Sequence, residues 1–256
     1  FIASTISTQS TKAINGKLKI EAIEGSLLSR FSLRNISINQ GDSSLITINS
    51  IHLDYKLMQL LKKEVKINKF EIQDIQINAT QMSDSTWNLQ QLIIPKDKKD
   101  TSSSANNWHI TVDQFLLDSL KARLIPLHPQ KIPKQIKLKM QLAVKMGPDD
   151  LSLDMRDIYL GTKSPYLQLK KMRGVIRKIN NQLVWDNLRL NFDKTNLHSQ
   201  GSLNLDSIVK SEGTLVISPL QLNEFQSWFP SVKLNGSPEI LLKMDALKNQ
   251  SNLNLS

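Results

Sequence analysis

The feature that most constrains this chain is an alternation of apolar and polar residues with a period of two. Ile136, Leu138, Met140, Leu142, Val144 and Met146 are apolar, with Lys137, Lys139, Gln141 and Lys145 between them. Such a period sends alternate side chains to opposite faces of a β-strand. The pattern recurs at Leu18 and Ile20, Ile46 and Ile48, Val65 and Ile67, Leu151 to Met155, Leu167 and Leu169, Leu188 to Phe192, Leu203 and Leu205, Leu215 and Ile217, and Ile240 to Met244. The fold class it implies is mostly β, with one face of the sheet apolar.

The alternation also slips. Leu33 gives way to Ile36 and Ile38, and Ile48 to Ile51 and Leu53. Ile67 gives way to Phe70 and Ile72, and these to Ile75 and Ile77. A β-bulge restores the apolar face after such a slip, while bending the strand and raising its twist. The architecture expected is an elongated, highly twisted antiparallel sheet, curled into an open apolar groove. About 14 strands spaced ~4.8 Å apart would make a rod of roughly 65 Å. The same alternation also builds the dry core of a closed β-sandwich; the repeated bulges favour the open form.

Turn residues punctuate the strands. Asn15-Gly16 and Asn235-Gly236 suit tight turns, and Gln40-Gly41-Asp42, Gly147-Pro148-Asp149-Asp150 and Asn180-Asn181 suit longer ones. Two short helices are expected: residues 56–63, with Leu57, Leu60 and Leu61 at helical spacing, and residues 220–229, between Pro219 and Pro230. The polar, aperiodic stretch from Pro95 to Asn107 reads as a loop. The chain therefore divides into an N-terminal module (1–94), this loop (95–107) and a continuing β segment (108–256). Phe1 at the start and the alternation still running at Ser256 read as cuts in something longer, and Phe1 to Ile6 as the edge of a removed anchor helix.

Charge and composition narrow the partners. A net charge of +10 favours acidic ones, phospholipid headgroups among them. Aromatics at 5% argue against a stacking surface for single-stranded nucleic acid. The absence of cysteine excludes disulfides and thiolate metal sites. His52, His109, His128 and His198 lack metal-ligand spacing, and Asp149, Asp150, Asp154 and Asp157 read as turn and bulge residues rather than a carboxylate site. No phosphate loop, nucleophile elbow or zinc motif is present. The expectation is a non-enzymatic protein without a cofactor. The basic run Lys170, Lys171, Arg173, Arg177 and Lys178 reads first as a solvated face, and Trp87, Trp108, Trp185 and Trp228 as packing anchors.

Several phrases resemble the TamB/AsmA-like family. These are Ala22 to Ile38 (AIEGSLLSRFSLRNISI), Leu45 to Leu61 (LITINSIHLDYKLMQLL), Val65 to Ala79 (VKINKFEIQDIQINA), Ser85 to Leu92 (STWNLQQL), Gly201 to Leu205 (GSLNL) and Gly213 to Pro230 (GTLVISPLQLNEFQSWFP). The resemblance implies a β-taco-like groove related to chorein-type lipid-transfer proteins. It implies a Gram-negative periplasmic location, an inner-membrane anchor missing from the N-terminus and phospholipids as cargo moving between inner and outer membranes. An outer-membrane assembly protein would meet the missing C-terminal region, and no nucleic acid is expected. The residues expected to line the groove are Leu18, Ile20, Leu33, Ile36, Ile38, Ile46, Ile48, Ile51, Leu53, Val65, Ile67, Phe70, Ile72, Ile75, Ile77, Ile136, Leu138, Met140, Leu142, Val144, Leu188, Leu190 and Phe192. The rival readings are a scaffold whose sheet edge takes up a client strand, and a β enzyme or carbohydrate binder, which would need a polar concave site.

Overall fold

Where the sequence places polar turn pairs, the chain reverses and pairs with itself. The computed structural model describes residues 14–26, 28–92, 107–128, 132–207, 211–245 and 250–255. The strands are β1 (Lys17–Ser26), β2 (Arg30–Gln40), β3 (Ser43–Tyr55), β4 (Glu64–Thr80), β5 (His109–Ile125), β6 (Gln135–Met146) and β7 (Asp150–Lys163). They continue as β8 (Leu167–Ile179), β9 (Gln182–Phe192), β10 (Asn196–Asn204), β11 (Glu212–Ile217), β12 (Ile240–Asp245) and β13 (Gln250–Leu255). All belong to one 13-stranded sheet in strict chain order. Twelve spacings of ~4.8 Å make it roughly 60 Å across the strands. The sheet is twisted and does not close on itself.

Every neighbouring pair is antiparallel except β4 and β5, which run parallel, so the expected all-antiparallel sheet is in fact mixed. A two-residue turn cannot make a parallel connection; the chain must cross from one end of the strands to the other. The chain between Thr80 and His109 makes that connection, its described part running through residues 81–92. Most of the expected loop 95–107 lies outside the described residues, as do Phe1 to Ile6. Because β4 pairs with β5, the two expected β modules share one sheet.

The strand ends form two rims. One carries the turns β1–β2, β3–β4, β6–β7, β8–β9 and β10–β11; the other carries β2–β3, β5–β6, β7–β8, β9–β10 and β11–β12. Among the described residues three short helices sit at these rims, and all are 3-10 rather than α. They are η1 (Leu57–Lys62) on the first rim, and η2 (Asn88–Leu92) and η3 (Leu222–Trp228) on the second. The segment η2 was not anticipated. Six residues or so of helix give too few i−4 bonds to hold α geometry, so the tighter turn prevails. Among the described residues no helix is long and apolar enough to cross a membrane.

Of the expected turns, Gly41 (φ 58°) joins β2 to β3, Gly147 N–H donates to Asp150 O at 2.8 Å, and Asn180 (φ 51°) joins β8 to β9. Asn235-Gly236 is no hairpin: Gly236 O accepts from Leu222 N–H at 3.1 Å and ties the segment after η3 back to that helix. Asn15-Gly16 precedes β1, where Asn15 N–H donates to Leu92 O at 2.9 Å.

Candidate functional site

The pairing register turns the alternation of single strands into apolar rows that run across the sheet. One row is Ile20, Ile36, Ile48, Ile75, Leu120, Leu138, Leu160, Leu169 and Phe192, each residue paired with the next. A second is Ile23, Leu33, Ile51, Ile72, Leu117, Met140, Ile158, Met172, Leu190, Leu197, Ile217 and Ile240, spanning β1 to β12. Flanking rows are Leu18, Ile38, Ile46, Ile77, Ala122 and Ile136; Phe31, Leu53, Phe70, Phe115, Leu142 and Met155; and Ile67, Val112, Val144, Leu153, Ile176 and Trp185. Val65 pairs with Ile110, and Leu188 with Ser199. Directly paired residues share a face, so all the residues expected to line a groove except Val65 and Leu188 fall into these rows.

The slips are shared between neighbours. Leu33 to Ile36, Ile48 to Ile51 and Ile72 to Ile75 occur at one level, and β1 to β4 stay in register through it. The residues at that level, Asn35 and Asp74, have positive φ of 50° each. The expected bulges there are thus a kink running through several strands, not an extra residue in one of them. True register shifts stand elsewhere, among them Asp54/Tyr55, Leu117/Leu120, Gln141/Leu142 and Met155/Ile158.

No second sheet covers the apolar rows among the described residues, because every strand belongs to the one sheet. Ile36 is 5% exposed, and the other residues named as groove lining are half-buried. A sandwich core would bury them almost fully; a flat bare sheet would leave them open. Partial burial without a second layer is what mutual shielding within a curled face produces. Two helices on the second rim add cover. Phe225 of η3 meets Phe192 edge to face at 5.7 Å, and Leu92 of η2, 6% exposed, stands where a Cβ on Gly16 would come within 3.1 Å of it, beside Ile38.

Trp185 is held by a different device. A Cβ built on Gly201 would fall 2.6 Å from the Trp185 ring and 2.6 Å from Glu212 O, so this glycine makes room both for the indole and for β11. The indole N–H donates to Ser199 Oγ at 2.8 Å, and that hydroxyl donates to Thr214 O at 3.0 Å. Trp228 anchors η3 by donating to Tyr166 O at 3.1 Å.

The opposite face is polar. A depression of about 740 Å³ there is lined mainly by polar residues such as Lys19, Glu21, Asn35, Thr47, Asp74, Gln76 and Lys121, with Ile36 and Ile48 also reaching its wall. Its polar groups are tied to neighbours, as where Asn35 Nδ2 donates to Glu21 Oε2 at 2.7 Å. Asp54 accepts from Asn68 and Arg30, which hold its carboxyl below the ordinary value. Lys69 does the same for Glu71. At the second rim Tyr166 donates to Asp193 at 2.5 Å; this pushes the phenol up to about 12 and Asp193 down. In the basic run, Lys170 pairs with Asp193 and Arg177 with Asp186. Arg156 pairs with Asp154 beside the bulge at Met155. Among the described residues no group of three or more histidines and carboxylates is placed to hold a metal.

The sequence reading missed the β5 contribution to these rows. Ile110, Val112, Phe115, Leu117, Leu120 and Ala122 repeat the spacing of Val65, Ile67, Phe70, Ile72, Ile75 and Ile77, each 45 positions further along. That repeat was the signal, hidden by Leu116, which breaks the alternation.

The family model TP_0324_N, described as an N-terminal domain, matches residues 2–174. Comparisons with curated proteins and with solved structures give no match.

Proposed function

The chain belongs to the TP_0324_N family, and from the open, one-sided sheet that it forms we propose that it shields lipid acyl chains on its apolar rows. The carrying observation is the row from Ile20 to Phe192, apolar at each step and overlaid by no second layer among the described residues. A lipid tail entering water loses roughly 0.8 kcal/mol per CH₂. Continuous aliphatic rows remove most of that cost without fixing the tail at one position, and the headgroup stays in water at a rim. The work is solvation, so no enzymatic turnover and no cofactor are required. The resemblance to TamB/AsmA-like proteins supports the same reading and extends it to an inner-membrane-anchored periplasmic protein that moves phospholipids between inner and outer membranes.

The test is native mass spectrometry with lipid extraction on protein purified from bacterial membranes. Phospholipid should accompany the chain and be lost in Ile48→Asp and Leu138→Asp, two positions on one row, while circular dichroism stays β. A folded, lipid-free wild-type protein would overturn the reading. A second reading, a scaffold for outer-membrane protein assembly, is favoured by the edges: β1 and β13 each meet a strand on one side only among the described residues. Such an edge can accept a client strand through its backbone. It predicts that Ala22→Pro in β1, outside the apolar rows, blocks client binding and leaves bound lipid unchanged.

A further inference from the structure

The first rim carries a corner that the apolar rows do not explain. Leu28, in the β1–β2 turn, is 70% exposed, and on η1 Met58 is 73% and Leu61 81% exposed. The two elements are neighbours: Tyr55 N–H, one residue before η1 is entered at Lys56, donates to Ser29 O at 2.9 Å. Arg30 and Asp54 pair beside them at 2.8 Å. The apolar tips therefore project together from adjacent strand ends, away from the rows, where they stabilise no core.

Their surroundings are basic. Lys56, Lys62 and Lys63 are exposed and make no ion pair among the described residues. The first turn of η1 holds no acidic residue. The other charges near it are the Arg30–Asp54 pair, whose carboxylate also feels the Lys56 charge, the Lys66–Asp113 pair and the carboxylate Glu64, so cations stay in excess. Lys63 adopts the left-handed conformation that ends the helix, φ 58°, so Lys62 and Lys63 flank the tips at a fixed point of the chain. Exposed leucine and methionine ringed by an excess of lysines match the interface of a bilayer rich in acidic lipids, where side chains enter the acyl boundary and ammonium groups meet phosphates.

We propose that the corner formed by Leu28, Met58 and Leu61, with Lys56, Lys62 and Lys63, docks the sheet reversibly on an anionic phospholipid bilayer. The docking stands apart from acyl-chain shielding: the corner is outside the apolar rows, and either property can be lost without the other.

The experiment is co-sedimentation of the purified chain with phosphatidylcholine vesicles, with and without 30% phosphatidylglycerol, at low and high salt. Wild type should bind the acidic vesicles and be released by salt. Replacing Lys56, Lys62 and Lys63 by Gln should weaken partition by about fivefold per lysine. The triple variant Leu28→Ser, Met58→Ser, Leu61→Ser should lose at least about tenfold. Arg173→Gln with Arg189→Gln, a basic pair on the far polar face, should change little. Wild type that ignores acidic vesicles, or binding that survives both corner variants, would overturn the proposal; the first result would leave an acidic protein as the partner. Lipid extraction from the same corner variants separates the two readings, since bound phospholipid should persist in them.

Discussion

At Gly201 a very small change has a clear cost. An alanine there would press against the Trp185 ring and the Glu212 carbonyl, both at 2.6 Å, and backbone cannot yield as a flexible side chain would. Gly201→Ala should destabilise the chain by about 2 kcal/mol in a urea titration. Gly41→Ala meets no atom within 4 Å and should cost only about 1 kcal/mol for its left-handed backbone. Trp185→Phe keeps an aromatic ring but removes the indole N–H that Ser199 Oγ accepts, for about 1 kcal/mol from that bond. The pH behaviour of Asp54 belongs to the same scale. Its pKa is lower folded than unfolded, so the stability it contributes is present above the ordinary carboxylate range and lost as pH falls through the lowered value. Asn68→Ala removes the largest cause, and acid unfolding should then begin at higher pH, with the Asp54 titration followed by NMR moving the same way.

Among the elements, β4 and β5 dominate. Their parallel pairing keeps one constant offset through two slips, and Phe70 meets Phe115 edge to face at 5.4 Å. A double-mutant cycle with Phe70→Leu and Phe115→Leu should give a coupling of about 1 kcal/mol. Amide exchange should be slowest in β4 and β5 and faster in the end strand β1. This pair also marks the limit of what the sequence disclosed. Strands β1 to β4 and β6 to β12 were legible because apolar residues alternate there with polar or charged ones, and burial on one face leaves that trace. Strand direction leaves none: β4 and β5 would carry the same side chains in either sense, and only the long polar connection hinted at a crossing. Helix type was equally silent, since Leu57, Leu60 and Leu61 satisfy both 3-10 and α spacing over so short a run. Much of the candidate site was nonetheless readable, because register joins residues that each strand had already sorted onto one face.

Taken whole, the molecule is a sheet with one apolar side and no layer laid over it among the described residues. Solution scattering should therefore return a radius of gyration above the roughly 18 Å of a compact chain of this length. Its single parallel step has a further consequence. In a ribbon of hairpins, successive connections alternate between rims, so the parity of strand number fixes which side each loop emerges on. The β4–β5 crossing inverts that parity once, and so η3 emerges beside η2 and opposite η1. Lengthening such a ribbon by a whole hairpin would preserve this sidedness. Inserting one strand before β11, or reversing the crossing, would carry η3 with its Phe225 to the opposite side. The two margins are thus distinguished by a counting rule, and a chain that grows or shrinks in even steps keeps them distinct.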